Sequence, residues 1–145
     1  MEGALYGIPS IAISQVCNAN CEETEMEIGY ESAKKVAKEL AQKILREGFP
    51  LGERKLLNVN IPPRKEPRGY RITRAGFRLY ANEAHLHRNP RGLEYWWLGL
   101  HPLEWRPSEE HDCDFEAIHR GYVSITPIKA DLTAYEEMEN LRRWL

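Results

Sequence analysis

The sequence predicts an α/β protein built on a strand-helix-strand unit, and three stretches predict it. Leu56-Leu57-Asn58-Val59-Asn60-Ile61 alternates in its second half, with Leu57, Val59 and Ile61 on one side and Asn58 and Asn60 on the other. That is the period of a strand with one apolar face. Ahead of it, Glu31 to Glu47 sets Ala33, Val36, Ala37, Leu40, Ala41, Ile44 and Leu45 at three- and four-residue spacings, with Lys34, Lys35, Lys38, Lys43 and Arg46 mostly elsewhere, as an amphipathic helix does. Further ahead, Ile8 to Ser14 is short, apolar and uncharged, which suits a strand covered on both faces. A strand, a helix and a strand in this order imply a right-handed crossover onto a parallel sheet. One full crossover helix cannot cover both faces of such a sheet, so the sheet is expected to be incomplete within this chain.

Composition bounds the class. At 145 residues and 42% apolar, the chain has the size of one domain, and a complete domain of that length buries roughly 70% of its unfolded surface. A net charge of −2 argues against a general nucleic-acid or membrane-surface binder. No run approaches the ~18 apolar residues of a membrane span, and the absence of Lys and Arg from the first 33 residues is unlike a signal peptide. Three cysteines fit a reducing compartment better than a disulfide scaffold. The expectation is a soluble cytoplasmic protein.

Taken in order, Met1 to Gly7 reads as a helix end with Gly7 as its stop. A helix so short is marginal by itself, so either an upstream part is missing or the segment is a frayed arm. Gln15 to Gly29 is a long loop carrying Glu22, Glu23, Glu25 and Glu27; loops of this length are functional or simply solvated. Gly48 and Pro50 stop the long helix, and Pro62-Pro63, unable to donate to a ladder, end the strand. Composition then shifts. Residues 1–63 are assigned to the parallel-sheet core and 64–145 to a hairpin and C-terminal helix that serve oligomerisation.

Arg64, Lys65, Arg68, Arg71, Arg74 and Arg78 crowd one stretch with Tyr70, Phe77 and Tyr80 among them. Such interleaving can bind single-stranded nucleic acid, but a strand edge blunted by charge is the favoured reading in an acidic chain. Gly69 to Arg74 reads as a strand. Arg78 to Arg88 and Leu93 to Leu100 read as arms of a hairpin joined by Asn89-Pro90-Arg91-Gly92. Tyr95, Trp96 and Trp97 in succession send rings to both faces of the ribbon, and a lone hairpin cannot bury both. Such aromatics are favoured interface anchors. Pro102 to Pro107 reads as irregular, Asp114 to Arg120 as a short helix, and Tyr122 to Ile128 as a strand. Thr133 followed by Glu136 has capping-box spacing for a last helix, whose stripe of Tyr135, Met138, Leu141 and Leu145 suits docking on a neighbour. The candidate oligomer interface is thus Tyr80, Tyr95, Trp96, Trp97, Tyr135, Met138 and Leu141.

Chemistry-bearing constellations are few. Cys17 and Cys21 with distant His111 and Cys113 match structural zinc spacing weakly. His85 and His87 share a face of a hairpin arm and could chelate a metal, or sit there incidentally. Asp112 and Asp114 could act as paired carboxylates, although Asp114 stands where a helix cap is expected. No glycine-rich phosphate loop or Ser-His-Asp arrangement stands out. The residues alone reveal no catalytic or metal-ligating group.

Met1-Glu2-Gly3, Gly7-Ile8-Pro9-Ser10-Ile11-Ala12, Leu57-Asn58-Val59-Asn60-Ile61-Pro62, Ile72-Thr73-Arg74-Ala75-Gly76, Tyr95-Trp96-Trp97-Leu98-Gly99, Gly121-Tyr122-Val123-Ser124-Ile125-Thr126-Pro127 and Asp131-Leu132-Thr133-Ala134-Tyr135 together resemble the SurE nucleotidases. The segments run in order across essentially the whole chain, departing at Asp112-Cys113-Asp114, where the family usually reads Gly-Thr-Asp. The resemblance implies the C-terminal half of a Rossmann-like fold, followed by a protruding hairpin and a C-terminal helix exchanged between subunits of a dimer or tetramer. It implies a metal-dependent phosphatase acting on nucleoside 5′- and 3′-monophosphates, and also on polyphosphate. The family's phosphate-binding Ser-Gly-Thr and its metal-holding aspartates, serine and asparagine lie upstream of the position matching Met1. The expected cofactor, Mg²⁺ or Mn²⁺, would then be held by an N-terminal half, the expected partner, and this chain alone would be inactive. The competing expectation is a stand-alone, non-enzymatic oligomerisation module descended from that family.

Overall fold

The computed structural model describes residues 1–16, 29–79, 84–98, 104–106 and 112–145. Its elements run α1 (Glu2–Leu5), β1 (Ser10–Gln15), α2 (Glu31–Glu47), β2 (Lys55–Ile61), β3 (Tyr70–Ile72), β4 (Phe77–Leu79), β5 (Ala84–Arg88), β6 (Glu94–Leu98), β7 (Glu104–Arg106), α3 (Asp114–His119) and β8 (Val123–Lys129). A 3-10 turn (Tyr135–Glu137) then leads into α4 (Met138–Trp144).

The alternating run 57–61 lies in an inner strand. The main sheet has the order β1-β2-β8-β3, with β1 parallel to β2, β8 antiparallel to β2, and β3 parallel to β8. It draws strands from both sides of Pro63. Leu57, Val59 and Ile61 form its apolar face with Val123 and, from α2, Val36; Ile11, Leu40, Phe49 and Ile125 pack against them. Burying a side chain of this size contributes roughly 1.5–3 kcal/mol, so this cluster is where stability concentrates. Pro127, opposite Leu57, lies beyond the last β8 residue that pairs with β3, so no ladder bond to β3 is forfeited there.

The other face of the sheet is small and polar. Thr73 Oγ1 shares hydrogen bonds with Ser124 Oγ (2.8 Å) and Thr126 Oγ1 (2.7 Å), and all three residues are buried. Satisfied hydroxyls can be buried where a lone one could not. Ala4, Cys113 and Ala117 are buried as well; α3 packs on β8 and β2, and α1 on β2.

β1 differs from expectation. Ala12, Ile13 and Ser14 are exposed; among the described residues β1 is an outer strand of this sheet, paired with β2. Helix α2 matches its predicted span, but only part of its stripe is covered: Val36 is buried, while Leu45 is 86% exposed. The short α1 ends with Gly7 N–H donating to Ala4 O and Ile8 N–H to Gly3 O, the paired bonds of a Schellman stop.

Two sequence expectations are corrected. Residues 104–106, read as irregular between prolines, form β7, antiparallel to β4. Thr133 does not cap the last helix. Asp131 Oδ1 accepts the Thr133 N–H (3.0 Å) and Asp131 Oδ2 accepts the Tyr135 hydroxyl (2.6 Å). This Asx turn competes with a helical start, so the chain enters α4 through a 3-10 turn whose first residue has no side-chain cap.

Candidate functional site

In open α/β sheets, ligands bind beyond the carboxyl ends of the parallel strands. Here β1 and β2 end together, with Val16 N–H donating to Ile61 O (2.9 Å). Beyond them opens a cleft of about 500 Å³ whose walls include Asn60, Arg64, Arg78, Trp105, Phe115 and His119.

Each wall residue is placed by a local cause. The β2 period turns Asn60 away from the apolar core, and its Oδ1 accepts the Ser14 hydroxyl (2.6 Å), which leaves the amide N–H₂ group to donate elsewhere. After Pro62 the backbone doubles back, Arg64 N–H donating to Pro62 O. The Arg64 side chain then lies across Gly121: a Cβ there would sit 2.5 Å from Arg64 Nη1, and the residue's φ is +81°. The positive φ favours glycine at 121. Among the described residues the Arg64 guanidinium has no carboxylate partner. The β4–β7 ladder sets Arg78 directly opposite Trp105. Trp105 stacks on Phe115 (centroids 5.7 Å apart, 17° between planes) and leans on His119 at 6.1 Å.

Helix α3 is anchored beneath this wall. Asp114 Oδ1 accepts the N–H groups of Gly76 (2.8 Å) and Phe115 (2.9 Å), so Asp114 ties the first turn of the helix to the 76 turn. A Cβ on Gly76 would meet Phe115 Cδ2 at 2.4 Å; the close approach excludes any larger residue. Asp112 accepts from Arg74 Nε at 2.6 Å. Both aspartates thus have structural partners.

The remaining sequence candidates are scattered. Tyr95, Trp96 and Trp97 are exposed on β6, as are Tyr135, Met138 and Leu141 near the C-terminus; Tyr80 lies outside the described residues. The β5–β6 register puts Tyr95 and Trp97 on one face with His87 and His85, and Trp96 on the other with Leu86. The His87 ring stacks on Tyr95 at 5.7 Å. Cys17, Cys21 and His111 also lie outside the described residues, while Cys113 is buried just before α3. Among the described residues no three His, Cys, Asp or Glu side chains converge to hold a metal, and no helix is long and apolar enough to cross a membrane. The basic stretch is not a continuous stripe: Arg71, on the edge strand β3, lies 4.3 Å from the Tyr122 ring centroid, Arg74 pairs with Asp112, and Arg64 and Arg78 face the cleft. Sequence reading missed the cleft itself, because its residues are scattered along the chain; only the alternation that turns Asn60 outward pointed toward it.

With this geometry in hand, the likenesses to known proteins are informative. The family profile described as "Survival protein SurE" matches residues 1–82. The 5'-nucleotidase SurE of Nitratiruptor sp. is 71% identical over 145 residues, all of this chain and 56% of that protein. That of Aliarcobacter butzleri is 53% identical over 147 residues, again with 56% of its length covered. The crystal structure of the SurE protein from Aquifex aeolicus matches with a TM-score of 0.69 at 35% identity, over 99% of this chain and 54% of that one. The chain spans about half the length of the curated relatives it matches.

Proposed function

The chain belongs to the SurE family, and from that membership we propose that it is the C-terminal part of a metal-dependent phosphatase acting on nucleoside 5′- and 3′-monophosphates. The observation that carries this reading is the match of all 145 residues, at 71% identity, to one contiguous part of a 5'-nucleotidase. In this reading the chain contributes part of the α/β core, the cleft beyond β1 and β2, and the exposed hairpin and α4 as contacts between subunits of a dimer or tetramer.

The metal centre belongs to the N-terminal half, with Mg²⁺ or Mn²⁺ as the ion. On the family resemblance, the chemistry of water attack on phosphorus is assigned to the partner half. What this chain does is bind and orient. Arg64 and the Asn60 amide offer donors to an anionic or hydroxyl-bearing substrate, and the aromatic wall keeps water from one side of it.

The test is phosphate release from AMP with Mn²⁺ or Mg²⁺, by this chain alone and mixed with the N-terminal half of the Nitratiruptor relative. The expected result is silence alone and turnover in the mixture. Turnover by the chain alone would overturn the assignment of the metal centre to the other half. A complex that forms but stays silent would favour a non-enzymatic oligomerisation module instead.

A further inference from the structure

We propose that the cleft beyond β1 and β2 is the nucleoside subsite of the enzyme. Trp105, Phe115 and His119 form the wall against which the base stacks, and Arg64 and Asn60 hold the ribose-phosphate side. The proposal rests on the nucleotidase reading for its substrate class and on this chain's own geometry for the residues.

Three features converge on it. The cleft, at about 500 Å³, falls in the roughly 300–1,000 Å³ range of small-molecule sites. Its chemistry is divided: one side is aromatic, with Trp105 and Phe115 already stacked and His119 tilted beside them, and an aromatic wall accepts any base because every base has a π-face. The lining also carries Asn60, whose amide donors are left over after the Ser14 hydroxyl donates to its oxygen. Arg64 is part of the same lining, a planar guanidinium beside Gly121 with no carboxylate partner among the described residues. A cation with no carboxylate partner is suited to an oxyanion of the ligand, and arginine to phosphate in particular.

The division also sets the orientation. Asn60 and Ser14 stand at the ends of the two parallel strands, where reacting groups gather in folds of this class. The aromatic wall is built by Trp105 of β7 with Phe115 and His119 of α3. A nucleotide laid in the cleft therefore points its phosphate toward β1 and its base toward Trp105. Arg78, opposite Trp105 in the ladder, borders the same wall.

Equilibrium dialysis of the 145-residue chain, without metal, against AMP, adenosine, ribose 5-phosphate and inorganic phosphate tests this. AMP is expected to bind most tightly, adenosine next, and the two baseless phosphates far more weakly. Trp105→Ala should weaken AMP and adenosine alike by about tenfold or more, while Trp105→Phe retains binding. Arg64→Gln, at an exposed position that does not threaten folding, should weaken AMP about tenfold and leave adenosine unchanged. Unchanged AMP affinity in Arg64→Gln and in a folded Trp105→Ala, phosphate binding as well as AMP, or no nucleoside binding at all would each overturn the proposal.

The outcome separates from that of the nucleotidase reading. If the mixed halves release no phosphate yet the chain binds AMP through Trp105, the catalytic reading falls and the subsite stands. If the mixture is active and its KM for AMP ignores Trp105→Ala and Arg64→Gln, the subsite falls and the catalytic reading stands.

Discussion

The inner strand β2 and the hairpin β5–β6 use the same vocabulary and end up in opposite places. In β2, Leu56, Leu57, Val59 and Ile61 are all less than a tenth exposed; in the hairpin, Leu86, Trp96, Trp97 and Leu98 are 48%, 65%, 63% and 72% exposed. Both regions are extended and ladder-bonded. What differs is the cover: β2 has a strand on either side and α2 over its apolar face, whereas among the described residues the hairpin pairs only its own two arms. The hairpin is instead specified locally. Asn89 Oδ1 accepts the N–H groups of Arg91 and Leu93, Gly92 N–H donates to Asn89 O, and Arg88 pairs with Glu94 at 2.5 Å. Turn chemistry fixes its register, and its apolar side chains stay exposed. Strand propensity thus says little about burial; the layer packed on the strand decides it.

The comparison is broken most forcefully from the buried side. Ile61→Ala empties a fully buried position and should destabilise the chain by about 2–5 kcal/mol. Trp96→Ala removes a larger side chain from the hairpin, yet should change the stability of the monomer by no more than about 0.5 kcal/mol. Urea unfolding of both variants at low protein concentration reads the contrast. A Trp96→Ala loss approaching that of Ile61→Ala would mean the hairpin is folded against the body of the same chain.

Self-association should invert the ranking. If the exposed aromatics anchor a second copy, Trp96→Ala should cost about 2 kcal/mol of association, close to 30-fold in Kd, as truncated aromatic hot spots do. Sedimentation equilibrium reads this directly. A folded Trp96→Ala chain with unaltered association would remove Trp96 from the interface and leave Tyr95 and Trp97, on the opposite face of the ribbon, as the candidates.

The same contrast explains what was legible in the sequence. Elements whose cause is local could be read: α2 from the spacing of Val36, Leu40 and Ile44, the Asn89–Gly92 turn from its own residues, and β2 from alternation. Elements whose cause is a distant partner could not. Strand β7 sits between Pro102 and Pro107 and becomes a strand because Phe77 to Leu79 lie beside it, a pairing across 25 or more residues. The cleft gathers Asn60, Arg64, Trp105 and His119 through the same long-range topology. The predicted cap at Thr133 failed for another reason: two local signals competed, and the Asp131 carboxylate captured the Thr133 N–H first.

That competition yields the smallest of the predicted effects. Asp131 accepts from the Tyr135 hydroxyl and from the Thr133 backbone, and with Lys129 nearby its pKa falls from 3.8 to about 2; the same carboxylate pushes the Tyr135 phenol above its ordinary value. A carboxyl whose folded pKa lies below its unfolded one favours the folded turn fully above pH 4 and loses that contribution as pH falls toward 2. The Thr133 amide resonance, followed by NMR, should therefore titrate with a midpoint near 2 and become flat in Asp131→Asn. The same substitution should bring the Tyr135 phenol down toward its ordinary range. Because the turn is fully exposed, the effect should stay local and leave the urea midpoint of the sheet unmoved, unlike Ile61→Ala. A Thr133 midpoint at 3.8 would mean that the turn does not hold in solution and that the path into α4 is set by something other than Asp131.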